Sequence, residues 1–366
     1  MKKLTCILTL KGRETFSKRF FEHIREINLP YKLIIGDGDP SSSVQDYLTS
    51  DAKMENIDYE YRAFNDKSPQ AFFYKLETLI EQAETPYVMF CDNDDFLVLS
   101  GIEKCIQFLE SNPDYTSCGG KVLGIEAITK KGNMCILREG GIYGDFSNCY
   151  SDSSLKRVIT YIQEYAAPCW YNVYRKENLL KSIRLFRETG VNDFLLMELF
   201  MAFSASVQGK QHIDNSFVSY IRQTNSSQIN VSIKSLLHRC IYSDVGNEIK
   251  SVIEALSNQI HQYEKADFED IREKLRGAFL LYFERAPNDT FFSKLLNKFK
   301  GFCQRWDYTL RYTFSLYNRF RLHRDLKNIE AELFKKRSSK KIVDLFLKEY
   351  EQVRKIILHH PDCLNN

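Results

Sequence analysis

Strand-like and helix-like segments alternate along the N-terminal third of this chain. Each strand-like segment is a short apolar run, and each helix-like segment repeats its apolar residues at helical spacing. Segments that alternate in this order predict an α/β protein with a mostly parallel sheet and helices on its faces. The predicted strands lie at 4–10, 31–35, 57–61 and 87–91, and the predicted helices lie at 16–27, 44–48, 72–80 and 102–109.

The fourth predicted strand ends in a cluster of acidic residues. Residues 92–95, with the sequence Asp-Asn-Asp-Asp, follow the apolar run directly and are called the acidic loop below. Charged side chains are rarely buried unless they are paired or bound to a metal. Open α/β sheets bind ligands beyond the carboxyl ends of their strands. Because carboxylate oxygens suit Mg²⁺ or Mn²⁺, with phosphate oxygens completing the shell, the acidic loop predicts a metal–phosphate site.

A polar turn that caps the next helix is the alternative interpretation of the acidic loop. Ser100 and Glu103 have the spacing of a capping box, which predicts that they begin this helix themselves. The glycine pattern of dinucleotide-binding folds is missing, and so is the Gly-Lys phosphate loop of P-loop NTPases. Neither a Rossmann dehydrogenase nor a P-loop NTPase is therefore supported.

The composition is typical of a soluble globular protein, with 43% hydrophobic and 27% charged residues in a chain of 366. The sequence contains no run of about 18 apolar residues, so a membrane-spanning helix is not expected. The start, Met1-Lys2-Lys3, leads directly into the first strand without the features of a signal peptide. The ten cysteines form no CxxC pair, so we expect reduced thiols and no structural zinc. Together these features predict a cytoplasmic protein.

A helix that is apolar nearly all round is predicted at 194–207, after Asp193 and before Gly209. It carries one carboxylate, Glu198, whose pKa should be raised inside such a helix unless the group is paired or partly hydrated. Glu198 is therefore a candidate general base, and a buried salt bridge is the alternative interpretation.

Aromatic residues dominate the predicted strand at 168–175, which contains Trp170 and Tyr171. Such a strand could form one wall of a site for a sugar or a base. Ordinary core and edge packing explains the same residues equally well.

Several short motifs occur in an order and at spacings that together resemble the family 2-like glycosyltransferases of the GT-A fold. The resemblance covers the chain from about Leu4 to Ser227 and is closest to a bacterial branch that builds surface polysaccharides. It implies a GT-A-type, mostly parallel sheet flanked by helices. The motifs are Thr9 with Arg13, Asp37-Gly38, Lys75 with Thr85-Pro86-Tyr87, Asp92-Asn93-Asp94-Asp95-Phe96, and Tyr171 with Arg175.

The resemblance implies roles for the residues that would surround the nucleotide. Thr9 and Arg13 would line the nucleotide pocket, and Asp37 would hydrogen-bond the base or the ribose. Asp92 and Asp94 would form a DxD pair that holds Mn²⁺ or Mg²⁺, with Asp92 on the ribose side and Asp94 on the metal.

Five further residues receive implied roles in the same site. Lys75 and Asn93 would also bind the nucleotide sugar. Asp95 would support the DxD pair or touch the donor sugar. Trp170 and Tyr171 would contact the donor sugar or the acceptor.

The resemblance also implies a general base in a Glu-Asp pair, some way before the glycine that ends a helix. Glu198 has the expected spacing, but a methionine precedes it where Glu-Asp is usual. Asp193 is the competing candidate, because a helix N-terminus favours an ionised carboxylate. His212 would be a third protein ligand of the metal, with a structural role at a strand edge as the alternative. Arg222 would neutralise the leaving diphosphate.

These roles imply a metal-dependent, inverting glycosyltransferase. The donor would be a nucleoside-diphosphate sugar, most often a UDP-sugar, and the acceptor would be a hydroxyl of a glycan or of a lipid-linked molecule. The product would belong to a bacterial surface polysaccharide such as capsule, O-antigen or lipopolysaccharide.

Two alternative functions stay open. A sugar nucleotidyltransferase needs a glycine-rich loop after the first strand, and Lys11-Gly12-Arg13 is a poor version of it. A non-catalytic scaffold on a membrane or polymer would have a degenerate site, whereas Asp92 and Asp94 are both present.

We expect a glycosyltransferase domain at 1–228, with a nucleotide-binding half at about 1–118 and an acceptor half at about 119–228, and an all-helical region at 229–366. Residues 291–327 combine many basic with many aromatic side chains. Such a segment can bind an anionic membrane surface, which would place the protein at the inner face of the cell membrane. Packing of these aromatics on the catalytic domain is the alternative. No module for nucleic-acid binding is predicted, and a homo-oligomer is left open.

Overall fold

The computed structural model describes residues 2–39, 41–50, 54–130, 134–143, 149–164, 169–224, 244–285, 329, 330, 333 and 338–360. The strands are β1 (Leu4–Leu10), β2 (Lys32–Asp37), β3 (Tyr59–Ala63), β4 (Tyr87–Cys91), β5 (Phe96–Leu97), β6 (Tyr115–Lys130), β7 (Met134–Tyr143), β8 (Val173–Arg175) and β9 (Lys210–Thr224). The helices are α1 (Glu14–Glu26), α2 (Val44–Ser50), α3 (Pro69–Gln82), α4 (Leu99–Ser111), α5 (Ser154–Glu164), α6 (Lys176–Glu188), α7 (Phe194–Gln208), α8 (Val245–Glu264), α9 (Phe268–Arg285) and α10 (Lys340–His359), with a 3₁₀ turn at Cys169–Tyr171.

All nine strands join one sheet in the order β3-β2-β1-β4-β8-β6-β9-β5, with β7 paired to β6. The half formed by β3, β2, β1 and β4 is parallel throughout. In the other half β6 and β9 are parallel, whereas β8, β7 and β5 run antiparallel to their neighbours. The predicted α/β architecture is confirmed, and its second half is a mixed sheet.

The strand registers place the ends of β1, β2 and β4 at one edge of the sheet. Thr9 lies beside Gly36, Leu10 lies beside Asp37, and Leu8 lies beside Cys91. Neighbouring strands are about 4.8 Å apart. The residues that follow these three strands therefore converge, as the rule for parallel sheets predicts.

Two helical layers cover the parallel half of the sheet. Ile7, Ile34 and Phe90 face a core that is built with α3, α5, α6 and α7 and that also includes α8 and α9. Cys6 and Met89, on the opposite face, pack with α1, α2 and α4. Because both of their faces are buried, β1, β2 and β4 are almost continuously apolar rather than alternating with polar residues.

The described residues from 244 onward form helices and short connecting segments, as expected for the C-terminal region. Helix α10 forms a third core with β5, β6 and β9, in which Phe346 and Tyr350 join Phe96 and Ile221. The basic aromatic segment at 291–327 lies outside the described residues. Among the helices that the structure describes, none is long and apolar enough to cross a bilayer.

The predicted capping box at the start of α4 is wrong. The residue that precedes this helix is Val98, which has no side-chain cap. The Ser100 N–H instead donates to Glu349 Oε1 of α10 at 3.1 Å, and the Ser100 hydroxyl bonds to the other carboxylate oxygen. A carboxylate that is distant in the chain therefore accepts one of the N–H groups that the first turn of α4 leaves without a helical partner.

Candidate active site

The acidic loop is a tight connection between β4 and β5. The Asp95 N–H donates to the Asp92 carbonyl at 3.3 Å, and the next residue, Phe96, already pairs with Ile221 of β9. Since Phe96 is fully buried in the third core, both ends of the loop are fixed by strands. The three carboxylates are therefore held at the edge where β1 and β2 also end.

Two tyrosines hold Asp92. The Tyr171 hydroxyl donates to Asp92 Oδ2 at 3.1 Å, and the Asp92 N–H donates to the Tyr220 hydroxyl at 3.1 Å. The two tyrosine rings stack with centroids 4.0 Å apart. Burial raises the pKa of Asp92 to about 7, and the charge of Asp94 acts in the same direction. Asp92 is thus a carboxylate that a nearby cation would strongly stabilise in its ionised form.

Asp94 pairs with Arg13. Arg13 Nη2 lies 2.9 Å from Asp94 Oδ2, and the guanidinium also covers the Phe16 ring at 4.3 Å. Arg13 follows Gly12 in a turn in which both residues have positive φ, of 56° and 64° respectively, and it immediately precedes α1. This turn directs Arg13 from the end of β1 onto the acidic loop.

Asp95 faces inward rather than toward solvent. It is 1% exposed, and its Oδ1 accepts the Gln223 N–H at 2.9 Å. Burial, together with the charges of Asp94 and Asp92, raises the pKa of Asp95 well above its ordinary value. This geometry agrees with a supporting role for Asp95.

Arg19 is a site residue that sequence reasoning missed. It is fully buried, donates to the Asp94 carbonyl at 2.7 Å and donates to Gln223 Oε1 at 2.5 Å. Its guanidinium lies between the rings of Phe16 and Phe96. An arginine between Lys18 and Phe20 on a helix carries no local signal of burial, because its partners lie on β9 and the acidic loop.

Asp37 and Thr9 lie where the sequence predicted them, at the ends of β2 and β1. Asp37 is 1% exposed. Its Oδ1 accepts the Asp39 N–H and its Oδ2 accepts the Tyr61 hydroxyl, each at 3.1 Å. Thr9 is half-buried beside Gly36. Both of these residues border the same edge as Asp92.

Lys75 and Asn93 hold neighbouring parts of the chain together. Lys75 is fully buried, forms an ion pair with Asp66 and donates to the Leu10 carbonyl at 3.2 Å. Burial lowers the pKa of Lys75. Asn93 donates to Ser17 Oγ at 2.9 Å, which fixes the acidic loop to α1.

Asp193 and Glu198 occupy different positions on α7. Asp193 is the N-cap, and its Oδ1 accepts the Leu196 N–H at 2.9 Å. Glu198 is half-buried, one turn further along the helix. Its charge contributes to raising the pKa of Asp92, and the charge of Arg222 opposes that shift. Glu198 and Arg222 are therefore near enough to interact with the acidic loop.

His212 and Trp170 have mainly aromatic neighbours. His212 lies in the first part of β9 beside Cys118, stacks on Phe108 at 4.1 Å and has its Nδ1 2.9 Å from the Tyr150 hydroxyl. Trp170 stacks on Phe90 at 4.3 Å. The roles of His212 as a metal ligand and of Trp170 at the donor sugar or the acceptor stay predictions.

Asp92 and Asp94 are the groups at this edge that could hold a divalent cation. Within the described ranges, no set of three or more His, Cys, Asp or Glu side chains is arranged to bind a metal. Magnesium-type sites commonly use one or two carboxylates together with substrate phosphates and waters. The repulsion between Asp94 and Asp92, which raises the pKa of Asp92, is the kind that a bound cation relieves. The donor set fits such an ion.

Comparisons with known proteins show the fold. No protein-family model matches this chain, and a search of curated proteins finds no match. The structure of S. aureus TarS aligns with a TM-score of 0.50 at 10% identity, covering 98% of this chain and 55% of that one. S. aureus TarS 1–349 in complex with UDP-GlcNAc aligns with a TM-score of 0.48 at 12% identity, covering 96% of this chain and 92% of that one. The mannosyltransferase PcManGT from Pyrobaculum calidifontis, in complex with GDP-Man and Mn²⁺, aligns with a TM-score of 0.42 at 10% identity. This alignment covers 91% of this chain and 85% of that one.

Proposed function

We propose that this protein is a metal-dependent, inverting glycosyltransferase that uses a nucleoside-diphosphate sugar. One observation carries the proposal: the acidic loop meets the ends of β1 and β2 at a single edge, where Thr9, Arg13 and Asp37 also lie. Thr9, Asp37 and Asp92 are far apart in the sequence, and the registers of three parallel strands bring them to this edge. The fold shared with S. aureus TarS agrees with the proposal.

The donor would bind across this edge. Asp37, at the end of β2, would face the base or ribose, and Asp92 would face the ribose on the other side of β1. A divalent cation held by Asp92 and Asp94 would supply positive charge to the diphosphate. The charge of Arg222 acts on Asp92, and Arg222 would neutralise the remaining negative charge of the leaving diphosphate.

Glu198 is the proposed general base. The acceptor oxygen attacks the anomeric carbon of the donor sugar while the bond from that carbon to the diphosphate oxygen breaks. The proton of the acceptor hydroxyl passes to the Glu198 carboxylate. Because a single in-line displacement brings the acceptor to the opposite face, the configuration of the anomeric carbon would be inverted.

Release of nucleoside diphosphate tests the proposal. The full chain is incubated with individual nucleotide sugars, UDP-sugars first, and with Mn²⁺, and water serves as the acceptor hydroxyl. We expect diphosphate release that Asp94→Asn abolishes and that Asp152→Asn leaves unchanged, since the Asp152 side chain is 98% exposed. Pyrophosphate exchange would favour a nucleotidyltransferase instead. If the protein is not stabilised against heat by any nucleoside diphosphate with Mn²⁺, the site assignment is wrong.

Paired amide variants identify the base. Glu198→Gln preserves the side-chain volume, and Asp193→Asn preserves the helix cap because Asn is a good N-cap residue. We expect Glu198→Gln to reduce kcat by at least about 100-fold with little change in donor binding. The same loss in Asp193→Asn, with Glu198→Gln active, would transfer the role to Asp193.

The acceptor is proposed to be a glycan or lipid-linked hydroxyl of a surface polysaccharide, with residues 291–327 on the membrane. Since α8, α9 and α10 complete the cores of the sheet, substitutions test this better than truncations. Replacing Lys298, Lys300 and Arg305 by Gln should reduce flotation of the full chain with anionic liposomes. Equal flotation of the parent and the variant would contradict the membrane role.

A further inference from the structure

The ion pair between Arg13 and Asp94 occupies the carboxylate that the proposed function gives to the metal. Arg13 Nη2 is 2.9 Å from Asp94 Oδ2, with the Asp94 side chain 5% and the Arg13 side chain 36% exposed. A carboxylate oxygen can accept from a guanidinium or bind a metal ion, but two cations at one oxygen repel each other. Arg13 and a divalent cation therefore compete for Oδ2 of Asp94.

The acidic loop is anchored without the help of the Arg13 side chain. The Asp94 carbonyl accepts from the fully buried Arg19 at 2.7 Å. Asn93 donates to Ser17 Oγ at 2.9 Å, and Asp95 accepts from the Gln223 backbone at 2.9 Å. Release of the Arg13 guanidinium would therefore free one carboxylate while the backbone of the loop stays in place.

Arg13 can reach a second anion. It lies in the turn between β1 and α1, at the edge of the sheet where the diphosphate is proposed to bind. Its side chain is the more exposed member of the ion pair, so moving it costs little desolvation. A guanidinium binds phosphate oxygens through two parallel hydrogen bonds, which a donor diphosphate would offer.

We propose that Arg13 neutralises Asp94 in the metal-free protein, gives up this carboxylate to the divalent cation, and then pairs with the donor diphosphate. The inference rests on the proposed function and adds an exchange of partners to it. Arg13 thus keeps the acidic loop charge-balanced before the metal binds, and it becomes a ligand of the nucleotide afterwards. Binding of the metal and binding of the nucleotide would promote each other through this residue.

Opposite changes in two affinities test this exchange. Mn²⁺ binding to the protein alone is measured by electron paramagnetic resonance, and UDP binding with Mn²⁺ is measured by calorimetry. Arg13→Gln removes the competing cation, so we expect Mn²⁺ to bind about two- to fivefold more tightly. The same variant lacks the charge-assisted bond to the diphosphate, so UDP should bind about tenfold more weakly.

Two further variants make the result specific. Lys18→Gln removes a neighbouring α1 cation that covers the Tyr47 ring, and both affinities should stay at the parent values. Arg13→Lys keeps the charge and should lose less UDP affinity than Arg13→Gln. Weaker or unchanged Mn²⁺ binding in Arg13→Gln would overturn the exchange. If the parent protein binds neither Mn²⁺ nor UDP, the proposed function fails first.

Discussion

His23 should make the stability of this protein fall on acidification. The ring is fully buried on α1, its Nε2 accepts the Leu97 N–H at 3.1 Å, and it meets the Phe96 ring edge-on at 5.2 Å. Burial lowers the pKa of His23 from 6.5 to about 3. Between these two values the unfolded chain takes up a proton that the folded protein excludes. The stabilisation is therefore complete above pH 6.5 and is lost progressively as the pH falls toward about 3.

The size of the effect follows from the two pKa values. Lowering the pH from 7 to 5 should remove about 2 kcal/mol from the free energy of unfolding through His23 alone. The assay is urea unfolding, followed by fluorescence, of the parent and of His23→Gln at pH 7, 6 and 5. The difference between the two proteins should shrink by about 2 kcal/mol over this range, because glutamine does not titrate. His359 is exposed, and His359→Gln serves as the control. The difference in unfolding free energy between the parent and this variant should change by less than about 0.5 kcal/mol over the same range. If the difference in unfolding free energy between the parent and His23→Gln stays constant with pH, His23 does not carry this pH dependence.

Three further predictions concern stability and are checked by urea unfolding. Lys75→Met leaves Asp66 buried without its cation and should cost about 3–5 kcal/mol. The double variant with Asp66→Asn should recover a large part of this loss. If the single and the double variant lose the same stability, the ion pair is contradicted. Glu349→Ala removes the acceptor of the Ser100 N–H and should cost about 1 kcal/mol, whereas an unchanged midpoint would show that this cap is dispensable. Gly101→Ala would put a Cβ 2.1 Å from a backbone oxygen of β9, so we expect a loss of about 1–3 kcal/mol; a variant as stable as the parent would mean that α4 shifts freely.

The sequence predicted the parts of this protein that depend on local pattern. Apolar runs separated by helical repeats were sufficient for β1, β2 and β4, because both faces of these strands are buried. The rule that ligands bind beyond the carboxyl ends of strands then brought Thr9, Asp37 and Asp92 to one edge, where the registers of β1, β2 and β4 also place them. The roles that the resemblance implies for these residues stay predictions.

The parts that the sequence did not predict depend on contacts between distant residues. Arg19 binds Gln223, 204 positions away, and nothing near Arg19 distinguishes it from a surface arginine. The capping box at Ser100 failed because Glu349, 249 positions away, takes the place of a local cap. Strand β5 is only two residues long, too short for any periodicity to indicate it.

The third core affects the order in which parts of this protein fold during synthesis. Phe96, the residue that follows the acidic loop, shares that core with Tyr350 of α10. A ribosome makes the loop long before it makes the helix that covers the loop's anchor. Until α10 is made, Phe96 and its apolar neighbours on β6 and β9 lack the side chains that this helix contributes to the core, and contacts between such distant residues form slowly. A nascent chain can therefore complete the third core only after α10 has been made.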